Sequence, residues 1–367
     1  MKPLAEHAYF VIADISGYTG YLVGSDIEHA HDILADLVET VVGALRPIFR
    51  LAKLEGDAAF TVAPDGTLDG SMLLDTIDGC YFAFRRRLRS IQQATTCNCS
   101  ACSAIPTLNL KFVTHFGECV RHRIAGRDEL SGTGVILAHR LLKNRVTEAF
   151  GTGAYALLTS ACCTAAGLDP EALDLPPHRE TYEHIGEVQG FVHDLHARWM
   201  HEQEQRRVVI TPANAELEAQ ALLPAPPALV WHCLTDPGKR VRFWPGMDRF
   251  DQQPVTGRRG IGTVNHCVHG RDTIIEEIVD WRPFEYFTVR ATVPGFGPVT
   301  YMFDLVPEGP ATLFTFRLDR IRRKKQRAAW TTAGPAFRAT GEQVVAGLVR
   351  LVQEEMAIRD PGLTVDS

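Results

Sequence analysis

Residues 9–13 form an uninterrupted apolar run, and an aspartate, Asp14, follows it directly. A short apolar run bounded by a turn signal is typical of a buried strand. Ser16 and Gly17 end the run before a long helical pattern begins. An acidic side chain between a buried strand and a helix lies at the open end of a sheet, where α/β folds bind ligands. The alternative is a helix N-cap, because Asp and Ser are both favoured there.

A second aspartate, Asp57, occupies a similar position. Residues 51–60 indicate two short strands around a Glu-Gly turn, and Asp57 follows that turn. Two carboxylates at strand ends suit Mg²⁺, a hard cation that takes few protein oxygens and leaves room for phosphate. Paired metal ions that clamp a phosphate are used in phosphoryl chemistry. The two acids therefore predict a site for Mg²⁺ or Mn²⁺.

Three segments of the chain resemble class III nucleotidyl cyclases. Residues 14–19 (Asp-Ile-Ser-Gly-Tyr-Thr) and 53–58 (Lys-Leu-Glu-Gly-Asp-Ala) resemble their two metal-binding motifs, and residues 117–141 resemble the segment that ends Gly-x-x-Val-Asn-x-Ala-x-Arg. The resemblance covers about the first half of the chain and implies a ferredoxin-like α+β domain. The cysteine-rich insertion at residues 97–102 and the ending Leu-Ala-His-Arg-Leu-Leu-Lys-Asn are more similar to a cyclase-related family, the DUF2652 proteins.

The resemblance implies a role for each matching residue. Asp14, Asp57 and the backbone carbonyl of Ile15 would bind the metal. Lys53 and Glu129 match the positions that read the purine edge. A carboxylate at the second of these positions would suit adenine, whose amino group donates a hydrogen bond.

The catalytic half of the motif departs from the cyclase pattern. Arg140 matches the arginine whose planar fork fits phosphoryl oxygens in the transition state. Ile136 stands where the cyclases have an asparagine that orients the ribose, and isoleucine cannot form a hydrogen bond. Asn144, one helical turn beyond Arg140, is a candidate replacement. Because the loss of a positioning group costs orders of magnitude in rate, we expect little or no cyclase turnover.

A cysteine cluster has two interpretations. Cys97, Cys99 and Cys102 could bind Zn²⁺ with a fourth ligand from elsewhere, or take part in redox chemistry. A complete zinc site would normally show two cysteine pairs, so reduced loop thiols are the alternative. The chain has nine cysteines, an odd number, which fits reduced intracellular thiols better than a disulfide framework.

Charge and hydropathy exclude several classes of protein. A formal net charge of -6 argues against general nucleic-acid binding. No apolar run approaches the length of a transmembrane segment, and the N-terminus lacks the layout of a signal peptide. We therefore expect a cytoplasmic protein.

The second half of the chain has a different pattern. Residues 228–234 favour a helix, strand-like segments follow at hairpin spacing, and residues 336–356 form a long amphipathic helix. This order predicts an α+β helix-grip layout. The Pro-x-x-x-Val-Trp segment, the Trp244 loop and the Gly-x-Gly strand resemble the START-like (SRPBCC) superfamily, whose members curl a sheet around the C-terminal helix. The resemblance implies an apolar small-molecule ligand.

These observations predict four regions: a cyclase-like domain at 1–199, a linker at 200–212, a START-like domain at 213–358 and a tail at 359–367. The first hypothesis is a regulatory protein whose degenerate cyclase-like domain binds purine nucleotide and metal, coupled to the START-like domain. One alternative is an active, atypical adenylate cyclase gated by the apolar ligand. Another is a START-like enzyme or carrier with a structural first domain. Because the cyclase site lies between two like domains and this chain has one, the resemblance also implies a homodimer.

Overall fold

The structure is a computed structural model that describes residues 5–23, 27–94, 100–124, 127–205, 207–255 and 257–359. The chain divides into two units, residues 1–205 and 206–367. This division falls within the stretch for which the sequence predicts a linker, although a helix continues through that stretch to Glu204. None of the helices in the described ranges is both long enough and apolar enough to cross a membrane.

An eight-stranded sheet forms the core of the first unit, in the order β2-β3-β1-β4-β6-β8-β7 with β5 paired to β4. Its strands are β1 (Ala5–Ser16), β2 (Arg50–Glu55), β3 (Ala58–Pro64), β4 (Asn109–Ile124), β5 (Arg127–Ser131), β6 (Tyr155–Thr159), β7 (Pro177–Tyr182) and β8 (Gly186–Asp194). In the middle of β1, residues 9–13 are at most 1% exposed. The strand predicted from this apolar run is confirmed, and it extends by several residues on either side.

The first four strands have the βαββαβ order of a ferredoxin-like fold. β1 pairs antiparallel with both β3 and β4, and β2 pairs with β3. The resulting order, β2-β3-β1-β4, places β1 at the centre. The predicted ferredoxin-like α+β class is therefore confirmed for this unit.

Helices connect these strands. They are α1 (Tyr18–Val23), α2 (Ile27–Leu45), α3 (Gly70–Ala94), α4 (Ser100–Ala104), α5 (Thr133–Leu141), α6 (Val146–Phe150), α7 (Ser160–Ala166) and α8 (Leu195–Glu204). The apolar face of α2 is buried through Leu34, Leu37, Val41 and Leu45, as the helical spacing predicts. α3 begins at Gly70, and Asp69 accepts a hydrogen bond from the backbone N–H of Met72 (2.9 Å) and caps the first turn.

The second unit is a seven-stranded antiparallel sheet in the order β10-β11-β12-β13-β14-β15-β9. Its strands are β9 (Ala215–Leu223), β10 (Arg249–Gln253), β11 (Val264–His269), β12 (Asp272–Arg282), β13 (Tyr286–Val293), β14 (Gly297–Glu308) and β15 (Ala311–Asp319). Its helices are α9 (Pro227–Thr235), α10 (Pro237–Phe243) and α11 (Lys324–Arg359). The predicted helix-grip order, a helical segment, a run of strands and one long helix, is confirmed.

Candidate functional site

Asp14 and Asp57 meet at one end of the first sheet. Asp14 pairs in register with Ala58, the first residue of β3, and Asp57 immediately precedes Ala58. Burial, and next the charge of Asp14, raise the pKa of Asp57 from 3.8 to about 6. The ammonium group of Lys111 lies 3.0 Å from Oδ2 of Asp14. The structure therefore brings together the two acids that the sequence predicts as metal ligands, with Lys111 of β4 paired in register beside Asp14.

The donor set at this end of the sheet fits a hard divalent cation. The two carboxylates, with the backbone carbonyl of Ile15 that the resemblance implies, would supply oxygen atoms, which Mg²⁺ prefers, and Mg²⁺ usually keeps several waters or phosphate oxygens. Within the described residues, no group of three or more His, Cys, Asp or Glu side chains is arranged to hold a metal ion. A metal bound by Asp14 and Asp57 would therefore complete its coordination with backbone, water or phosphate oxygens.

Lys53 and Glu129 line one small pocket of about 100 Å³, together with Glu55 and His139. The ammonium group of Lys53 lies 3.6 Å from Oε1 of Glu55, and Nδ1 of His139 lies 3.2 Å from Oε2 of the same carboxylate. The pocket thus presents both hydrogen-bond donors and acceptors. Such a mixed set is what recognition of the edge of a heterocyclic base requires.

Arg140 lines a second, larger pocket of about 870 Å³. Lys143 and Arg145 add two more cations, and Glu180 adds an acid. That acid is already engaged, because Oε1 of Glu180 accepts a hydrogen bond from the backbone N–H of Arg145 (2.6 Å) and lies 2.8 Å from Nε2 of His178. Burial acts to raise the pKa of Glu180, but these partners hold it below its usual range. The pocket therefore has an excess of positive charge, which suits an anion.

Ile136 and Asn144 have different surroundings. Ile136 is 54% exposed and lines the pocket of Arg140. The amide nitrogen of Asn144 donates to the carbonyl of Leu141 (2.8 Å), and its amide oxygen accepts from the N–H of Val146 (3.0 Å) and the hydroxyl of Tyr155 (2.8 Å). This corrects the prediction that Asn144 replaces the missing asparagine, because both ends of its side chain hold the turn between α5 and α6.

Two glycines set the position of α5, which carries Arg140. Gly132 has a φ of 140°, and a Cβ atom on it would lie 2.8 Å from the carbonyl oxygen of Glu118. A Cβ atom on Gly134 would lie 2.9 Å from the same oxygen. Only glycine permits this approach of the helix to β4. The two glycines at the start of α5 therefore allow the helix that carries Arg140 to pack close against β4.

The cysteine cluster is only partly described. Cys97 and Cys99 lie outside the described residues, and Cys102, in α4, is half-buried. The zinc or redox role of the cluster stays a prediction.

A buried polar cluster in the second unit was not identified from the sequence. Arg240 and Glu276 are each 2% exposed, and their side chains approach to 3.6 Å, too far for a hydrogen bond. The hydroxyl of Tyr301 donates to Oε1 of Glu276. The guanidinium of Arg240 lies 4.3 Å from the ring centre of Trp244 and 4.8 Å from that of Phe303. Nε of Arg240 and Oε2 of Glu276 are buried with no hydrogen-bond partner among the described residues.

Two family models match the chain. A model for a protein family of unknown function, DUF2652, matches residues 34–149. The model for polyketide cyclase / dehydrase and lipid transport proteins matches residues 214–353. These matches confirm both resemblances that the sequence motifs indicate.

Solved structures are also similar to parts of the chain. The guanylyl cyclase Cya2 is 15% identical and is matched over 52% of this chain and 93% of its own, with a TM-score of 0.40. The adenylyl cyclase CyaB from P. aeruginosa is 14% identical and is matched over 53% of this chain and 97% of its own, with a TM-score of 0.38. Protein MLL2253 from Mesorhizobium loti is 17% identical and is matched over 38% of this chain and 96% of its own, with a TM-score of 0.31. Scores this low support no conclusion about function.

A curated relative gives a closer match in sequence. The uncharacterized protein Rv2561/Rv2562 of Mycobacterium tuberculosis is 36% identical over 163 residues, which are 44% of this chain and 73% of that protein. The chain therefore belongs to the same family as this mycobacterial protein, with a DUF2652 match at residues 34–149 and a polyketide cyclase-type domain at residues 214–353.

Proposed function

We propose that the first unit binds a purine nucleoside triphosphate together with Mg²⁺ or Mn²⁺, and that it serves as a regulatory domain with little or no cyclase turnover. The observation that carries this proposal is the pairing of Asp14 with Asp57, whose pKa is raised to about 6. Two carboxylates this close repel one another when both are ionised. A divalent cation bound between them removes that repulsion and supplies an anchor for phosphate.

The two pockets of the first unit fit the remaining parts of a nucleotide. In the smaller pocket, Glu129 would accept a hydrogen bond from the amino group of adenine, and Lys53 would donate to a ring nitrogen. In the larger pocket, Arg140 and the neighbouring cations would contact the phosphates. A guanidinium fork suits phosphate oxygens because it offers two parallel N–H groups.

Low turnover follows from the side chain at position 136. A cyclase must direct the ribose hydroxyl at the phosphorus, and positioning supplies much of the rate. Ile136 is exposed in the wall of the larger pocket and offers no hydrogen bond. An active, atypical adenylate cyclase is the alternative, and product analysis separates the two.

We further propose that a complete site forms in a homodimer. The resemblance to cyclases, whose site lies between two like domains, supports this proposal, because the chain carries one set of the matching residues, Asp14 and Asp57 on one side and Lys53, Glu129 and Arg140 on the other. In a two-fold dimer each half meets its complement twice, which yields two equivalent sites. The proposed nucleotide ligand agrees with the cytoplasmic location that the sequence predicts.

For the second unit we propose an apolar ligand that carries a hydroxyl group. The carrying observation is the pair of buried atoms without hydrogen bonds, Nε of Arg240 and Oε2 of Glu276. One needs an acceptor and the other needs a donor, and a hydroxyl supplies both. Leaving such groups unsatisfied is costly. The match to the model for polyketide cyclase / dehydrase and lipid transport proteins supports an apolar ligand body.

Thermal unfolding tests the first proposal. A ligand at one hundred times its dissociation constant stabilises the folded state by about 2.7 kcal/mol, which corresponds to roughly 5–10 °C for a unit of this size. ATP with Mn²⁺ should produce this shift in the wild type and in the control Asp65→Asn, whose side chain is exposed on a turn. The shift should vanish in Asp14→Asn and Asp57→Asn. Equal shifts in all four proteins would remove the metal assignment.

Two further measurements complete the test. The same titration with GTP and with Mg²⁺ establishes the base and the metal, and chromatography of the products detects cyclic nucleotide. Rapid cyclic AMP formation by the wild type would favour the active-cyclase alternative.

For the second unit, fluorescence titration should show tighter binding of 2-naphthol than of 2-methylnaphthalene. Equal affinities for the two compounds would contradict the proposed contact with a ligand hydroxyl.

A further inference from the structure

His139 lies in a wall that the two pockets of the first unit have in common. The smaller pocket, with Lys53 and Glu129, and the larger pocket, with Arg140, share the side chains of Val135 and His139. Val135 is apolar and 8% exposed. His139 is therefore the one polar side chain among the described lining residues that faces both pockets.

The connection between the pockets matches the connectivity of a nucleotide. A nucleotide joins its base to its phosphates through the ribose. If the base occupies the smaller pocket and the phosphates the larger, as the proposed function requires, the ribose must lie across the shared wall. The sugar hydroxyls then come to His139, and an inference about this residue rests on that proposed function.

The surroundings of His139 hold its ring in one orientation. Nδ1 lies 3.2 Å from Oε2 of Glu55, and the ring makes an edge contact with Phe60 at 4.8 Å between centroids. With Nδ1 facing a carboxylate, the neutral imidazole carries its proton on Nδ1 and its lone pair on Nε2. The described contacts of His139 leave Nε2 available, and the ring is about 30% exposed.

We propose that His139 is the ribose-positioning residue of this site, with Nε2 accepting a hydrogen bond from a ribose hydroxyl. Ile136, one helical turn earlier on α5, cannot make such a bond. Glu55 acts through the imidazole, because it fixes the tautomer and the direction of the lone pair. A ligand that lacks the ribose hydroxyl then leaves Nε2 without its partner.

Binding of ATP and its deoxy analogues, with Mn²⁺ present, tests this role without relying on turnover. Calorimetry on the full chain should show that 2′-deoxy-ATP or 3′-deoxy-ATP binds roughly 5- to 10-fold more weakly than ATP, which is the weight of one hydrogen bond. In His139→Ala the deoxy analogue and ATP should bind with equal affinity. The control Lys143→Ala changes a cation of the larger pocket only. It should weaken ATP and the analogue equally and keep their ratio.

The outcomes separate this inference from the proposed function. If the wild type binds ATP and both deoxy analogues equally, His139 does not contact the ribose, while nucleotide binding stands. Discrimination that persists in His139→Ala also overturns the inference. If none of the nucleotides binds to the wild type, the proposed function fails, and the role of His139 fails with it.

Discussion

The repulsion between Asp14 and Asp57 makes a prediction about the metal-free protein. The pKa of Asp57 is raised in the folded state to about 6. A carboxyl with a raised folded-state pKa contributes stability that is fully present below the unfolded value, near 3.8, and is lost as the pH rises through about 6. Replacing this group with a neutral amide removes the loss. Asp57→Asn should therefore be more stable than the wild type at pH 7.5 without metal.

The magnitude follows from the size of the shift. A change from 3.8 to about 6 at about 1.36 kcal/mol per unit gives roughly 3 kcal/mol as an upper limit. Asp57 is only partly buried, so solvent screening reduces this to about 1–2 kcal/mol. At pH 5 the difference between variant and wild type should fall to about half its value at pH 7.5, because Asp57 then regains its proton in the folded state.

Urea denaturation in EDTA at pH 5.0 and pH 7.5 measures this difference as a free energy of unfolding. Hydrogen exchange of peptides from β1 assigns the change to the first unit. The exposed control Asp65→Asn should stay within about 0.5 kcal/mol of the wild type. Saturating ATP and Mn²⁺ should reverse the order, since only the wild type keeps both acids. An Asp57→Asn variant that is no more stable than the wild type at pH 7.5 without metal would refute the reasoning.

Three other predictions concern turnover, assembly and the second unit. Ile136→Asn should raise cyclic-nucleotide formation above that of the wild type in a chromatographic assay, whereas an already rapid wild type would contradict the assignment. Asp14→Asn and Arg140→Ala subunits should each fail to bind nucleotide and should partly recover binding when mixed, and a strict monomer by sedimentation that still binds nucleotide tightly would exclude the dimer model. Glu276→Gln should destabilise the second unit by about 3–5 kcal/mol in urea denaturation, because it leaves the charge of Arg240 buried without a counter-ion. Its neighbour Glu277, whose ion pair with Arg290 is exposed, should lose less than about 1 kcal/mol as Glu277→Gln, and equal losses would contradict a buried pair.

The parts of the fold that sequence predicted best are those with a strong local pattern. The apolar run at 9–13 and the apolar spacing at 27–45 correspond to β1 and α2, because burial on both faces of a strand, or on one face of a helix, dictates those patterns. The sequence predicts that α11 begins at residue 336, directly after Pro335, whereas the helix begins at Lys324 and continues through the proline. The basic residues Lys324, Lys325 and Arg327 therefore lie at the start of this helix.

The candidate site depended on information that is not local. Asp14 and Asp57 could be paired in advance only through the resemblance to cyclases. Lys111 was missed because its contact with Asp14 arises from the register of β1 against β4, which a single sequence does not specify. The location of Lys53 and Glu129 in one pocket likewise follows from pairing between strands far apart in the chain.

The buried pair of the second unit shows a different limit. In β12, residues 274–278 read Ile-Ile-Glu-Glu-Ile, so the alternation of a strand places one glutamate on each face of the sheet. Hydropathy favours burying the face that carries Ile274 and Ile278, and this face also contains Glu276, which is 2% exposed, whereas Ile275 on the other face is 54% exposed. The partners that make this tolerable, Arg240 and Tyr301, come from α10 and β14. The pattern therefore predicts which glutamate is inside, whereas its partners come from tertiary contacts that a single sequence does not specify.

The ion pair between Lys111 and Asp14 links the binding of metal to the binding of anion. A metal that takes Asp14 displaces a lysine whose side chain is only 21% exposed, and a partly buried ammonium without a counter-ion is unfavourable. Metal alone should thus bind weakly. A triphosphate that arrives with the metal gives the released ammonium a new partner, so each ligand raises the affinity of the other by the same factor. On the proposed function, the site would then respond to the metal–nucleotide complex as one species and only weakly to free divalent cation.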